Sequence, residues 1–103
     1  MADRMKDQVV IVTGGSRGIG RAIVERLCEE GARVWFTFLR HPDAAEAVKA
    51  RLPGTEFLAC DGRDPEAVRQ AVDRVLQREG RIDALVNNAG VTHAALLAMT
   101  SEE

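Results

Sequence analysis

The chain has no tyrosine among its 103 residues, so no phenol is available for acid–base chemistry. It has two cysteines, Cys28 and Cys60, and neither has a second Cys or His at metal-ligand spacing. Nothing in the pattern fixes a disulfide between them, and both read as buried thiols of a reducing compartment. No apolar run approaches the roughly 20 residues that a membrane span requires. The opening Met1–Asp7 lacks the apolar stretch of a secretory signal. A cytoplasmic location without a membrane partner is the expectation. A large excess of charge of one sign is missing too, with 14 Lys and Arg against 16 Asp and Glu. The net charge of −2 offers no general attraction to nucleic acid or to anionic lipid.

What is present is ordinary globular composition, 46% hydrophobic and 29% charged, at a length that suits one domain. Strand and helix patterns alternate along it. Val9–Val12 is a β-branched run of the kind buried on both faces. From Gly18 to Glu30 the residues Ile19, Ile23 and Leu27 form one helical stripe, with Gly31 as its stop. Val34–Leu39 reads as a second strand. Pro42 opens a second helix with Ala44, Ala45, Val48 and Leu52 on its apolar side, ended by Pro53-Gly54. Glu56–Cys60 is a third strand. Asp64-Pro65 is an N-cap followed by Pro at N1, and Val68, Ala71, Val72, Val75 and Leu76 follow at helical spacing until Gly80. Ile82–Val86 is a fourth strand, leading to Asn87-Asn88-Ala89-Gly90.

This order predicts an α/β, Rossmann-type doubly wound parallel sheet with strand order 3-2-1-4. A ligand crevice is expected at the carboxyl ends of strands one and four. At the far end, Thr100-Ser101-Glu102-Glu103 is a capping box, the signature of a helix beginning. It reads as the start of a further helix of a longer protein, or else as an acidic solvated tail.

Between the first strand and the first helix lies Thr13-Gly14-Gly15-Ser16-Arg17-Gly18-Ile19-Gly20. Glycines here remove Cβ atoms where backbone must kink or approach a ligand. The helix N-terminus behind them offers free N–H groups and a positive dipole end to an anion. Gly14 suits the exit from the strand, Gly18 the approach of a pyrophosphate, and Gly20 close packing of helix on sheet. The turn lacks Gly-Lys-Ser/Thr and is a poor match to the P-loop.

The spacing of this turn, with Asp61 after the third strand and Asn87-Asn88-Ala89-Gly90 after the fourth, resembles the short-chain dehydrogenase/reductase family. Within that family the run from Lys6 through Gly20, together with Asn87–Thr92 and the Met99–Glu103 ending, looks most like bacterial β-ketoacyl-[acyl-carrier-protein] reductases. The resemblance implies that Gly14, Ser16, Arg17, Gly18, Ile19 and Gly20 line the cofactor phosphates and nicotinamide side. It implies that Asp61, with Gly62 beside it, accepts from the adenine amino group, and that Asn88, Ala89 and Gly90 border the adenosine ribose. Asn87 would brace neighbouring strands. On local sequence alone, Asp61 also reads as a turn residue and Asn87–Gly90 as a plain turn.

The cofactor can be argued from charge. An NAD site places an acid at the end of the second strand, but the stretch Thr37-Phe38-Leu39-Arg40 has none before Asp43. Thr37 and Arg40 are assigned to the cofactor there. Arg17 and Arg40 can both face a 2′-phosphate, which favours NADP(H) over NAD(H); surface solvation is the other reading of Arg40. His41 and His93 read as loop or surface residues without a role.

The family's catalytic Ser and Tyr-x-x-x-Lys have no counterpart in these 103 residues, so no catalytic residue is assigned. The expectation is the dinucleotide-binding half, residues 1–103, of a reductase acting on a carbonyl such as a 3-oxoacyl thioester, inactive without the catalytic half. A stand-alone nucleotide-binding or interaction module, or a fragment without function, are the competing readings. The exposed edge of the fourth strand is a candidate surface for self-association.

Overall fold

A computed structural model describes residues 4–88. Within them the order is β1 (Val9–Val12), α1 (Gly18–Glu29), β2 (Arg33–Phe38), α2 (Pro42–Arg51), β3 (Glu56–Ala59), α3 (Pro65–Glu79) and β4 (Ala84–Val86). The four strands form one sheet in the order β3-β2-β1-β4, every pairing parallel, as the alternating pattern predicts. Ile11 pairs with Trp35 on one side and Leu85 on the other.

β1 is central and buried throughout, which explains why its sequence is continuous rather than alternating. Its side chains serve two cores. Val10 and Val12 join Val34, Phe36, Val24, Ala45 and Val48 on the face covered by α1 and α2. Val9 and Ile11 join Trp35 and Val75 on the face covered by α3. Phe57 lies against both Phe36 and Phe38, at ring-centroid distances of 5.8 and 5.5 Å.

α3 begins where Asp64 accepts from the Glu66 amide at 3.0 Å, follows with Pro65, and ends at Gly80 in the left-handed region. At the other end of the sheet Asp83 stitches β1 to the approach of β4. Its Oδ2 accepts from the Val9 amide at 2.7 Å, and its own amide donates to Val9 O at 2.8 Å.

Several details differ from the sequence reading. The α1 stripe is displaced: Val24 and Gly20 are the buried positions, Ile23 and Leu27 pack at the core's margin, and Ile19 is 75% exposed. Ile19 sits in the first turn of α1, ahead of the first buried position, Gly20. Leu39 and Leu76 are exposed as well. β2 starts and stops one residue earlier than expected, and β4 starts at Ala84. Both cysteines are free thiols, Cys60 buried but Cys28 only partly so; burial pushes both thiols up from the usual range, helped by nearby acids. The Thr100–Glu103 capping box and His93 lie outside the described residues.

Candidate functional site

The glycine turn after β1 is held from two sides. From β2, Thr37 accepts twice: its hydroxyl from the Gly14 amide at 2.9 Å and its carbonyl from the Gly15 amide at 3.0 Å. Beyond β4, the Asn88 amide donates to Thr13 Oγ1 at 3.0 Å and its carboxamide Nδ2 to Gly14 O at 3.1 Å. The Thr13 amide donates in turn to Val86 O at 3.0 Å. Thr37 is therefore buried beneath the turn and shapes it, whereas Asn88 clasps its open side.

The helix that follows is built to receive charge. Gly18 takes φ of +57°, a left-handed geometry that costs other residues about 1–2 kcal/mol. Gly20 has a different reason to be glycine. A Cβ there would collide with Gly14 O and lie 2.6 Å from Asn88 Nδ2, so the requirement comes from the turn itself, not from packing on the sheet. The N-cap residue, Arg17, makes no side-chain cap bond, and the first turn contains no acid. The opening N–H groups of α1 thus have no side-chain cap, and no acid of the helix's own first turn offsets the positive end of its dipole.

Beside this helix end lies a cleft of about 460 Å³, lined by Gly14, Ser16 and Arg17 from the turn, Phe38 to His41 from the end of β2, and Arg63 from beyond β3. It opens over the carboxyl ends of β1, β2 and β3; the crevice expected between β1 and β4 borders residues outside the described ones. Asn88 marks the β4 side; Ala89 and Gly90 lie outside the described residues. Gly62 is buried.

Asp61 forms a tight turn in which Oδ1 accepts from the Arg63 amide at 2.9 Å and from Arg63 Nε at 3.2 Å. These two bonds, first the backbone one, hold its carboxyl below the usual range, with weaker attraction from Arg40. By contrast, neither Arg17 nor Arg40 forms an ion pair among the described residues. Sequence reasoning missed Arg63, although Asp61-Gly62-Arg63 carries the signal of an Asx turn that bonds its own backbone two residues on. It also gave His41 no place, yet His41 lines the cleft as the residue preceding α2. No group of His, Cys, Asp and Glu suited to a metal occurs among the described residues.

A parallel sheet with a glycine turn, an uncapped helix and a cationic cleft at its carboxyl edge is a frame for a phosphorylated nucleotide. Comparison with known proteins narrows this. Residues 8–103 match the family model for short chain dehydrogenase. The chain belongs to the short-chain dehydrogenase family. Its sequence is 48% identical over 90 residues to the L-fucose dehydrogenase of Bos taurus, covering 87% of this chain and 33% of that protein. It is 36% identical over 103 residues to a 3-oxoacyl-[acyl-carrier-protein] reductase of Thermotoga maritima, covering 97% and 42%. Among solved structures, a short chain dehydrogenase from Burkholderia cenocepacia in complex with NADP superposes with a TM-score of 0.79 at 44% identity, covering 85% and 38%. This short-chain dehydrogenase chain thus spans roughly a third to two-fifths of the length of these relatives.

Proposed function

We propose that residues 1–103 are the NADP(H)-binding portion of a short-chain oxidoreductase that reduces a carbonyl, the substrate being a 3-oxoacyl thioester. The observation that carries the cofactor is the pair Arg17 and Arg40: two guanidinium groups on one cleft, neither ion-paired among the described residues, with no acid at the end of β2. Both line the cleft where a 2′-phosphate would bind, and an acid that would prefer a free 2′-hydroxyl is missing from the end of β2. The pyrophosphate is held by the N–H groups at the head of α1, with Gly14, Ser16 and Gly18 forming its bed and Gly20 letting the turn close. Ile19, exposed on that first turn, faces the nicotinamide side. Asp61 accepts from the adenine amino group through the oxygen that Arg63 leaves open, with Gly62 behind it, and Asn88, Ala89 and Gly90 border the ribose. When bound, the nicotinamide supplies a hydride.

The choice of a 3-oxoacyl thioester rests on likeness to the ketoacyl reductases, in this chain's glycine turn and in the Thermotoga maritima relative. No residue here is assigned to proton transfer, since the chain has no tyrosine. These residues alone bind without turnover, and a longer chain supplying Ser and Tyr-x-x-x-Lys reduces an acetoacetyl thioester. Within the described residues β4 pairs only with β1, and its outer edge is the surface for association.

The test is a titration with NADPH and NADH. A charge-assisted Arg–phosphate contact is worth roughly 1.5–3 kcal/mol, so Arg17→Ala weakens NADPH binding by roughly ten- to hundredfold and NADH binding far less. Equal losses for the two cofactors overturn the NADP(H) assignment.

A further inference from the structure

Three arginines line the cleft, but they are not electrostatically equivalent. Arg17 and Arg40 make no ion pair among the described residues. Arg63 is bound to Asp61 at two points, through its amide and through Nε. The pair carries no net charge, so at the distance of a phosphate its attraction is largely cancelled. Asp61 stays ionised because those same bonds depress its pKa, and the pairing therefore persists at neutral pH.

What the pair does retain is shape. The Nε bond and the backbone turn fix the near end of the guanidinium, while the side chain as a whole remains 65% accessible. A guanidinium is planar and stacks on aromatic rings even when one edge is engaged by a carboxylate. Arg63 occupies the β3 wall of the cleft, and Arg40 lines it from the end of β2. Both walls sit at the end of the cleft away from β4, next to the carboxylate assigned to the adenine amino group.

We infer that Arg63 is a binding residue for the adenine ring, its guanidinium held by Asp61 as a platform on which the base stacks, while Arg17 and Arg40 read the 2′-phosphate. Asp61 acts here as a positioning residue for Arg63 in addition to accepting from the base. The inference rests on the dinucleotide reading above and adds a division of labour to it: unpaired cations select between NADPH and NADH, and the paired cation binds what the two share.

The experiment is a set of titrations of the chain with NADPH and with NADH, for the parent and for Arg63→Ala, Arg63→Lys and Arg17→Ala. Loss of a guanidinium stacked on a ring corresponds to about three- to thirtyfold in affinity. Arg63→Ala should weaken both cofactors by a similar factor in that range. Arg63→Lys should do nearly the same, because an ammonium keeps the charge and loses the plane. Because Arg63 is exposed, unchanged circular dichroism and melting midpoint are expected for both variants and separate lost binding from lost fold. A loss confined to NADPH makes Arg63 a third phosphate ligand and overturns the inference while leaving the NADP(H) reading intact. Full affinity in Arg63→Lys, or in Arg63→Ala, overturns it as well. A parent chain that binds neither cofactor removes the dinucleotide reading and this inference with it.

Discussion

Gly20 is where a single atom decides whether the site exists. The Gly14 carbonyl occupies the space a Cβ would need, and the same oxygen accepts from Asn88 Nδ2 at 3.1 Å. Gly20→Ala must therefore push α1 away from the turn or break the Asn88 clasp. Overpacking of this kind costs about 1–3 kcal/mol. The expected result is a lower urea midpoint together with loss of NADPH binding by equilibrium titration; a variant that keeps both would show that the turn can relax. Gly18 presents a different case. Open space surrounds it, and only its left-handed backbone argues for glycine. From sequence the two glycines look alike, because spacing reports that Cβ is unwelcome but not which atom forbids it. Thr37 is similarly half legible. Its place beside the site can be read from the motif order, but its role as a double acceptor beneath the turn depends on the register of β2 against β1.

Among the elements, α3 shows how far local signals reach. Asp64, Pro65 and Gly80 mark its two ends in the sequence, and each does in the structure what its chemistry suggests. Its last residue does something no local pattern announces. Glu79 accepts from Arg33 Nε at 2.9 Å, Arg33 Nη2 at 2.7 Å and Trp35 Nε1 at 2.8 Å, while Arg78 lies 5.5 Å from the Trp35 ring centroid. One carboxylate thus ties the C-terminus of α3 to the start of β2. Glu79 is only 11% accessible, and removing it strands the buried indole N–H, so Glu79→Ala should cost about 1–3 kcal/mol in urea unfolding at pH 7. The Arg33 bond, then the Trp35 bond, hold the Glu79 carboxyl below the usual range. A lowered folded-state pKa means that the stabilisation is complete above the unfolded value of about 4.3 and fades as pH falls through the folded value. Stability of the parent should fall more steeply below about pH 4.3 than that of Glu79→Gln; parallel pH profiles would contradict this.

At the scale of the molecule, binding and folding are linked. The turn, the head of α1 and the ends of β2 and β3 all contribute to the cleft, so a ligand there braces the strand ends against one another. A ligand at 100 times its dissociation constant adds about 2.7 kcal/mol, which for a domain of this size corresponds to roughly 10–20 °C in melting midpoint. NADPH at that excess should raise the thermal transition accordingly. NADH at the same concentration should raise it less. The single Trp35, buried in the α3-side core, provides the fluorescence signal. Absence of any shift with NADPH would count against the cleft as a cofactor site.

The sequence by itself determined the succession of strands and helices, the parallel sheet with its 3-2-1-4 order, and the place of the glycine turn. These follow from local periodicity, capping residues and the handedness of crossovers, all of which act over a few residues or through connections of limited length. Tertiary structure decided the rest. It exposed Ile19 where periodicity would bury it. It opened a cleft over the ends of β1, β2 and β3, and brought Arg63 to a wall shared with residues more than twenty positions earlier in the chain. It also paired Arg63 with Asp61 while leaving Arg17 and Arg40 without ion pairs among the described residues. Which charges are neutralised and which remain to meet a ligand depends on distances between separate loops, and no single stretch of sequence records them.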